Sequence, residues 1–377
     1  MDYNQLALDL HKKYKGKITI ALRDQSELSR EQLSAYYSPG VAAVSKAIAE
    51  NPEQLPEYTW TNNLVAVISD GSAVLGLGNV GPKAAMPVME GKALLFKHFA
   101  GIDSVPIVLD VHTPDEIVAA ITAMAPSFGA INLEDIAAPQ CFEIEERLKE
   151  TLDIPVFHDD QHGTAVVTLA GLINAMNVVG KELKNTKIVI VGAGAAGTAI
   201  IKLLDRYARP HMVAIDSKGI ISETRSDLNQ EKKELLTYVD GSVSGSLADA
   251  LTDADIFIGV SQPGLLTPEL VKKMADKPIV FALANPIPEI MPEVAHKAGV
   301  AVIATGRSDY PNQVNNATAF PGIFRGALDN GITKITDDHK IAAAKAIADL
   351  VENPTAETII PSVFDERLVT SIAKIIT

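Results

Sequence analysis

The chain of 377 residues has a single cysteine, Cys141. No intrachain disulfide can form, which points to a reducing compartment. Cys141 reads as buried filler rather than as a nucleophile. Positive charge is also short: 33 Lys and Arg stand against 47 Asp and Glu, a net charge of −14. That balance opposes unselective binding to nucleic acid or to anionic membrane, both polyanions. Small anionic substrates remain open, because a few local cations and a metal can reverse the field inside a cleft. The N-terminus, Met1-Asp2-Tyr3-Asn4, runs into mixed charges without the apolar core of a signal peptide. The longest nearly uncharged stretch, 163–180, contains Thr168, Asn174 and Asn177. It falls short of the ~20 apolar residues of a spanning helix. A cytoplasmic protein with no membrane or nucleic-acid partner is expected. Aromatics are scarce at 5%, and there is no internal repeat or low-complexity linker.

The length suggests two domains, and 47% apolar residues can fill two cores. Residues 31–37 and 41–50 read as helices on either side of Ser38-Pro39-Gly40, which places Tyr37 at a helix end. Buried-strand runs follow at 63–69, 105–111, 129–133 and 154–157, with helical segments at 114–124 and 139–148 between them. Strand alternating with helix means a parallel sheet, with ligands at the carboxyl ends of its strands. Two of those ends carry acid pairs, Glu134-Asp135 and Asp159-Asp160, and Gly163-Thr164 opens a long helical run. A second α/β unit starts near residue 187, with strands at 188–191, 212–215, 255–260, 279–283 and 300–304. The fold class is therefore α/β, a parallel-sheet domain followed by a Rossmann domain.

Gly192-Ala193-Gly194-Ala195-Ala196-Gly197 lies between a strand and a helix, and Asp216 closes the next strand. That is the dinucleotide fingerprint in context: Gly192 permits the turn, Gly194 admits the pyrophosphate, and Gly197 lets helix and strand pack closely. Asp216 is set to hold ribose hydroxyls, which favours NAD. Lys218 could meet a 2′-phosphate, so NADP stays open. The loop at 75–82 is dense in glycine but lacks the Lys-Ser or Lys-Thr of a P-loop, which excludes ATP there. Glu134, Asp135 and Asp160 are all-oxygen donors without Cys or His at zinc spacing, and suit Mg²⁺ or Mn²⁺. Helix capping accounts for such acids equally well. His158 and His162 are ligand or base candidates but fit loop positions better. Lys92 follows a glycine in an apolar neighbourhood that would depress its pKa toward a base's range, and Lys83 competes for that role.

Together these segments resemble the malic enzymes of the short bacterial type. The resemblance is carried by Tyr37-Ser-Pro-Gly-Val-Ala42, the 69–82 segment Ser-Asp-Gly-Ser-Ala-Val-Leu-Gly-Leu-Gly-Asn-Val-Gly-Pro, and Pro87-Val-Met-Glu-Gly-Lys92. Asn132-Leu-Glu-Asp135, Phe157-His-Asp-Asp-Gln-His-Gly-Thr164, Ala284-Asn285-Pro286 and Asn315-Asn316-Ala-Thr-Ala-Phe-Pro-Gly322 complete it, in family order. The resemblance implies a malate- and metal-binding domain over 1–161. A Rossmann NAD(P)-binding domain with C-terminal helices would occupy 162–377. It implies oxidative decarboxylation of (S)-malate to pyruvate and CO₂, with decarboxylation of oxaloacetate as a partial reaction. Lys92 would take the proton of the C2 hydroxyl, and Tyr37 would protonate C3 of enolpyruvate. Glu134, Asp135 and Asp160 would hold the divalent ion, with Asp159 behind them as a cap or support. Asn285 and Asn316 would touch substrate or nicotinamide. A homodimer is implied. One departure stands out: larger relatives carry an Arg where this chain has Ala73, so another cation must grip the substrate carboxylate, and Lys83 is the candidate. The chain also stops short of the acyltransferase-like domain of some bacterial members. A malolactic reaction with retained NAD, or a silent dinucleotide-sensing protein, are the competing readings.

Overall fold

The computed structural model of the protein describes residues 3–74 and 76–377. Met1 and Asp2 of the N-terminus, and Leu75 of the glycine loop, lie outside the described residues. The first sheet contains β1 (Leu64–Ser69), β2 (Asp103–Val108), β3 (Ala130–Leu133) and β4 (Val156–His158). Its order is β2-β1-β3-β4, and every pair is parallel. All six residues of β1 are buried, as a strand covered by helices on both faces requires. The run expected at 105–111 is instead Asp103–Val108. Its register pairs Leu64 with Asp103 and Ser69 with Val108, so β1 offers no partner further on.

The second sheet contains β5 (Lys187–Val191), β6 (His211–Asp216), β7 (Gly219–Ile220), β8 (Ile256–Gly259), β9 (Ile279–Ala282) and β10 (Val302–Thr305). Its order is β10-β9-β8-β5-β6-β7, parallel except for the β6–β7 hairpin. The order reverses between β5 and β8, and that switch point opens a crevice at the strand carboxyl ends.

A 21-residue helix, Asp159–Val179, links the two sheets and ends at Gly180 in the left-handed region, φ 72°. It begins four residues earlier than the sequence suggested, directly at the end of β4. Both acids of the Asp159-Asp160 pair therefore sit in its first turn, where the helix dipole favours negative charge. By length and composition it could cross a membrane, yet most of it is buried within the fold. Residues of both sheets join one core around it, including Val65, Phe157, Ile188 and Phe281. Phe96 meets Phe320 and Phe324 edge-on with ring centroids 4.7 and 5.1 Å apart, and Phe157 meets Phe324 at 5.7 Å. Such pairs contribute about 0.5–1.5 kcal/mol each beyond burial, and here they fasten the C-terminal part to the first sheet.

The N-terminal helices Tyr3–Tyr14, Arg30–Tyr36 and Val41–Glu50 have no buried residue. Leu8, Ile20, Leu22, Leu28 and Tyr37 are all exposed in this stretch.

Candidate active site

The carboxyl ends of β3 and β4 bring the two acid pairs together. Oxygens of Glu134, Asp135 and Asp160 all lie within 4.8 Å of one another. Asp135 adopts φ 54°, a left-handed conformation that Asp tolerates because its short polar side chain bonds locally. Its backbone N–H donates to Asp160 Oδ2 at 2.7 Å, and Asn132 Nδ2 donates to Glu134 Oε2 at 3.0 Å. Asp159, next to Asp160 in the chain, points the other way, to Lys92.

Lys92 lies on the Pro82–Ala100 helix and is buried. Its ammonium donates to Asp159 Oδ2, to Asn316 Oδ1 at 3.1 Å, and pairs with Glu134 Oε1 at 3.2 Å, 4.7 Å above the Phe320 ring. The expectation that apolar surroundings would depress its pKa is corrected here. Burial does act downward, but Asp159, Glu134 and Asp160 more than offset it and hold Lys92 above its ordinary value. Burial pushes Glu134 well up despite Lys92. Gly163 makes the Lys92 contact possible. A Cβ there would stand 1.9 Å from Asp159 Oδ1 and 3.0 Å from Asn316 Cβ.

Four carboxylates, Glu134, Asp135, Asp159 and Asp160, thus face one ammonium, a local excess of three negative charges if all are ionised. Buried charge of one sign is expensive without a counter-ion. Asp159 Oδ1 and Asn132 Oδ1 are buried without hydrogen-bond partners. An all-oxygen donor set with excess negative charge and spare acceptors fits a hard divalent cation. Glu134, Asp135 and Asp160 are the residues that would hold it.

The Gly192–Gly197 turn follows β5 as the sequence suggested. Gly192 has φ 114°, and a Cβ there would meet Val260 O at 2.7 Å; one at Gly197 would meet Gly192 O at 1.8 Å. At Gly194 nothing lies within 4 Å of such a Cβ, leaving open backbone at the N-terminus of the Ala195–Ala208 helix for a pyrophosphate. Ala193, Ala195 and Ala196 complete this turn. Asp216 ends β6, but its carboxylate is already engaged. Arg225 donates to both oxygens at 2.8 and 3.1 Å, Lys232 to Oδ2 at 2.6 Å and the Lys218 N–H to Oδ1 at 2.8 Å. Burial alone would raise the Asp216 carboxyl, and these bonds pull it down to about 2.

One cavity of about 620 Å³ joins these parts. Lys92, Glu134 and Asp160 line it from the first sheet, and Ala196, Asn285 and Asn316 from the second half. The glycine loop also reaches it through Gly76, whose Cβ would stand 2.8 Å from Asn285 O. Asn315 caps the next turn by accepting from the Ala317 N–H at 2.8 Å. Tyr37 is not brought to this cavity: it is 70% exposed. Lys83 is exposed, and Ala73 gives its N–H to Asp135 O at 2.9 Å.

Neither histidine lines this cavity. His158 is wholly buried, with Nδ1 3.9 Å from Asp160 Oδ2. His162 faces the opposite side, where burial lowers it to about 3 although its Nε2 lies 2.8 Å from Glu145 Oε2. Cys141 is buried filler, its thiol pushed up to about 12 by burial and by Glu145.

Sequence reading missed Glu145. Its carboxylate accepts from the His158 N–H at 3.0 Å, and Gln161 Nε2 stands 3.4 Å away. It thus clasps the turn carrying Asp159 and Asp160 from behind. The signal was available: Cys141, Ile144, Glu145 and Leu148 form the buried stripe of their helix, and an acid in such a stripe needs a reason. Lys17 was also missed, because it is one of several basic residues at 11–17 with nothing local to single it out, yet it lines the cavity.

Residues 15–149 match the malic enzyme N-terminal domain model, and residues 161–376 match the malic enzyme NAD binding domain model. The chain is 53% identical over 378 residues to a bifunctional malic/malolactic enzyme of Bacillus subtilis, covering 99% of this chain and 92% of that protein. It is 51% identical over 360 residues to an NADP-dependent malic enzyme of Halomonas elongata, covering 94% and 84%. The crystal structure of an NAD-dependent malic enzyme from Thermotoga maritima superposes with a TM-score of 0.95 at 50% identity, covering 98% of each chain. Sequence, fold and site geometry agree, and the chain belongs to the malic enzyme family.

Proposed function

We propose that the protein converts (S)-malate to pyruvate and CO₂ while reducing NAD or NADP. The observation that carries this reading is the position of Lys92. It touches Glu134 of the acid cluster, Asp159 beside that cluster, and Asn316 from the cofactor half, and it lines the cavity with Glu134 and Asn316. When bound, the dinucleotide supplies the hydride acceptor, and Mg²⁺ or Mn²⁺ supplies a Lewis acid for the C2 oxygen, a contribution of several kcal/mol. Burial raises the Asp159 carboxyl, so it can take the proton that Lys92 donates to it, and the neutral amine then accepts the C2 hydroxyl proton as hydride leaves C2. Asn316 fixes the ammonium's direction, and Asn285 lies across the cavity for the substrate or the nicotinamide. Residues 1–161 serve malate and metal, and residues 162–377 the dinucleotide.

Tyr37 is the acid that protonates C3 of the enolpyruvate, and in this reading it comes from a second copy of the chain. Its exposure supports that, as does the unburied apolar N-terminal stretch around it. The reading therefore includes a cytoplasmic homodimer. The test is malate-dependent reduction of NAD and NADP, side by side, with Mg²⁺ or Mn²⁺. Asp160→Ala should remain folded by circular dichroism, lose Mn²⁺ binding in calorimetry, and lose turnover. Full metal-dependent activity in that variant would sink the assignment.

The Bacillus relative's name brings a second reading, malolactic conversion. Lactate formation without release of NADH, read by absorbance, would select it.

A further inference from the structure

We infer that Lys17 is the cation that holds a carboxylate of the dicarboxylate substrate. This rests on the malate reading above and answers the question left by Ala73. Among the described residues lining the cavity, Lys17 and Lys92 are the two cations. Lys92 has three N–H donors, and all three face partners: Asp159, Glu134 and Asn316. It has none left for a carboxylate.

Glu134 and Asp160 on the cavity wall repel a dianion, and a divalent ion held by Glu134, Asp135 and Asp160 would attract the substrate at its C2 end. The far carboxylate needs a positive group of its own. Lys83 is exposed, and Ala73 has no polar side chain.

Lys17 is built into place rather than draped over the surface. Its ammonium donates to Pro87 O at 2.6 Å, leaving two N–H donors for a ligand. Pro87, Glu90 and Gly91 form the part of the Pro82–Ala100 helix that precedes Lys92. Gly91 is small where the ammonium passes: a Cβ there would lie 3.3 Å from Lys17 Nζ. Gly16, with φ 124°, turns the chain beside Glu90, and a Cβ on it would stand 3.0 Å from Glu90 Oε1. These contacts seat Lys17 on the same helix as Lys92 and keep it partly out of water. Burial lowers its pKa while Glu90 opposes the shift. A partly desolvated cation with free donors gains most from a charged acceptor, since a charge-assisted bond replaces lost hydration.

The test uses the full chain with Mg²⁺, in Lys17→Gln, Lys17→Met and Lys17→Arg variants. The KM for malate should rise about ten-fold or more in the first two, with kcat and the KM for the dinucleotide nearly unchanged. Lys17→Arg should recover most of the loss. In calorimetry, tartronate, a dicarboxylate that cannot follow the reaction, should bind the first two variants correspondingly weaker. Thermal midpoints equal to the parent's would show that folding is not the cause. Unchanged malate KM and tartronate affinity in Lys17→Gln and Lys17→Met would overturn the inference, as would a fall in kcat alone. If the parent protein neither turns over malate nor binds tartronate, the malate reading itself fails, and this inference with it.

Discussion

Lys92 donates to Asn316 across 3.1 Å, although 224 residues separate them in the chain. One stands on a helix of the first sheet, and the other opens the turn before the Phe320–Asp329 helix. The bond joins the part that holds the acids to the part that holds the glycine turn. It also gives the buried ammonium a direction, because Asp159 and Glu134 occupy its other sides. In the proposed reaction, a proton-transfer group held from three sides would already be oriented before substrate arrives, which is where much of a catalytic barrier is saved.

Gly163→Ala separates local helix preference from site geometry. Ala is better than Gly in a helix interior by about 1 kcal/mol, so propensity alone predicts a more stable protein. The added methyl would collide with Asp159 Oδ1 and push the carboxylate from Lys92. We expect kcat to fall about 10²-fold, the scale of an ångström-sized misplacement, with native far-ultraviolet circular dichroism. A fully active variant would refute the role given to Gly163.

Mixing two inactive variants tests the origin of Tyr37. Tyr37→Phe and Lys92→Ala chains, unfolded together and refolded as mixed dimers, should regain turnover. One site then has Lys92 from one copy and Tyr37 from the other. If Tyr37 acted within its own chain, each site would lack one group and the mixture would stay silent.

Glu145 should matter for metal without touching it. Glu145→Ala strands the His158 N–H and His162 in a buried setting and should cost about 3–5 kcal/mol of stability. Glu145→Gln keeps an acceptor for that N–H, so it should fold while weakening Mn²⁺ binding about ten-fold, as supporting residues of metal sites commonly do. Electron paramagnetic resonance of Mn²⁺ titrations reads this directly, and parental affinity in the Gln variant would refute it.

Asp216 gives a pH signature. Its folded pKa of about 2 lies below the ordinary value of 3.8. The unfolded chain therefore binds this proton more readily, and the group's stabilisation is complete above about pH 4. It fades as pH falls through 2. Asp216→Asn should lower the thermal midpoint at pH 7, and the difference from the parent should shrink between pH 4 and pH 2. A gap that persists at pH 2 would contradict it.

The same carboxylate bears on the cofactor. Four donors already occupy Asp216, as many as its lone pairs accept. It is a poor acceptor for ribose hydroxyls and repels a 2′-phosphate little. Competition by 2′,5′-ADP should therefore be at least as strong as by 5′-AMP; a ten-fold weaker 2′,5′-ADP would restore Asp216 as a ribose anchor.

Local patterns carried much of this architecture. The glycine turn could be read because Gly192 and Gly197 stand where a side chain would strike Val260 or Gly192 itself, so the residue type reports the backbone. The acid pairs could be read because each follows directly on a short buried strand, Glu134-Asp135 on β3 and Asp159-Asp160 on β4, and so falls at a strand end. The Lys92 environment was not legible. Its chain neighbours are apolar, and the charges that hold its proton arrive from β3 and from the Asp159–Val179 helix. Lys17 was hidden for the same reason, as one more basic residue in a basic stretch.

The two α/β units, the dinucleotide turn and the set of acids are written in the chain itself, because periodicity and glycine positions are local constraints. The direction of each group is a property of the folded molecule. Asp160 joins Glu134 and Asp135 while Asp159 turns to Lys92, since successive positions on a helix point about 100° apart. Folding also places Lys17 on the cavity wall and leaves Tyr37 facing outward, because both depend on where a distant segment packs.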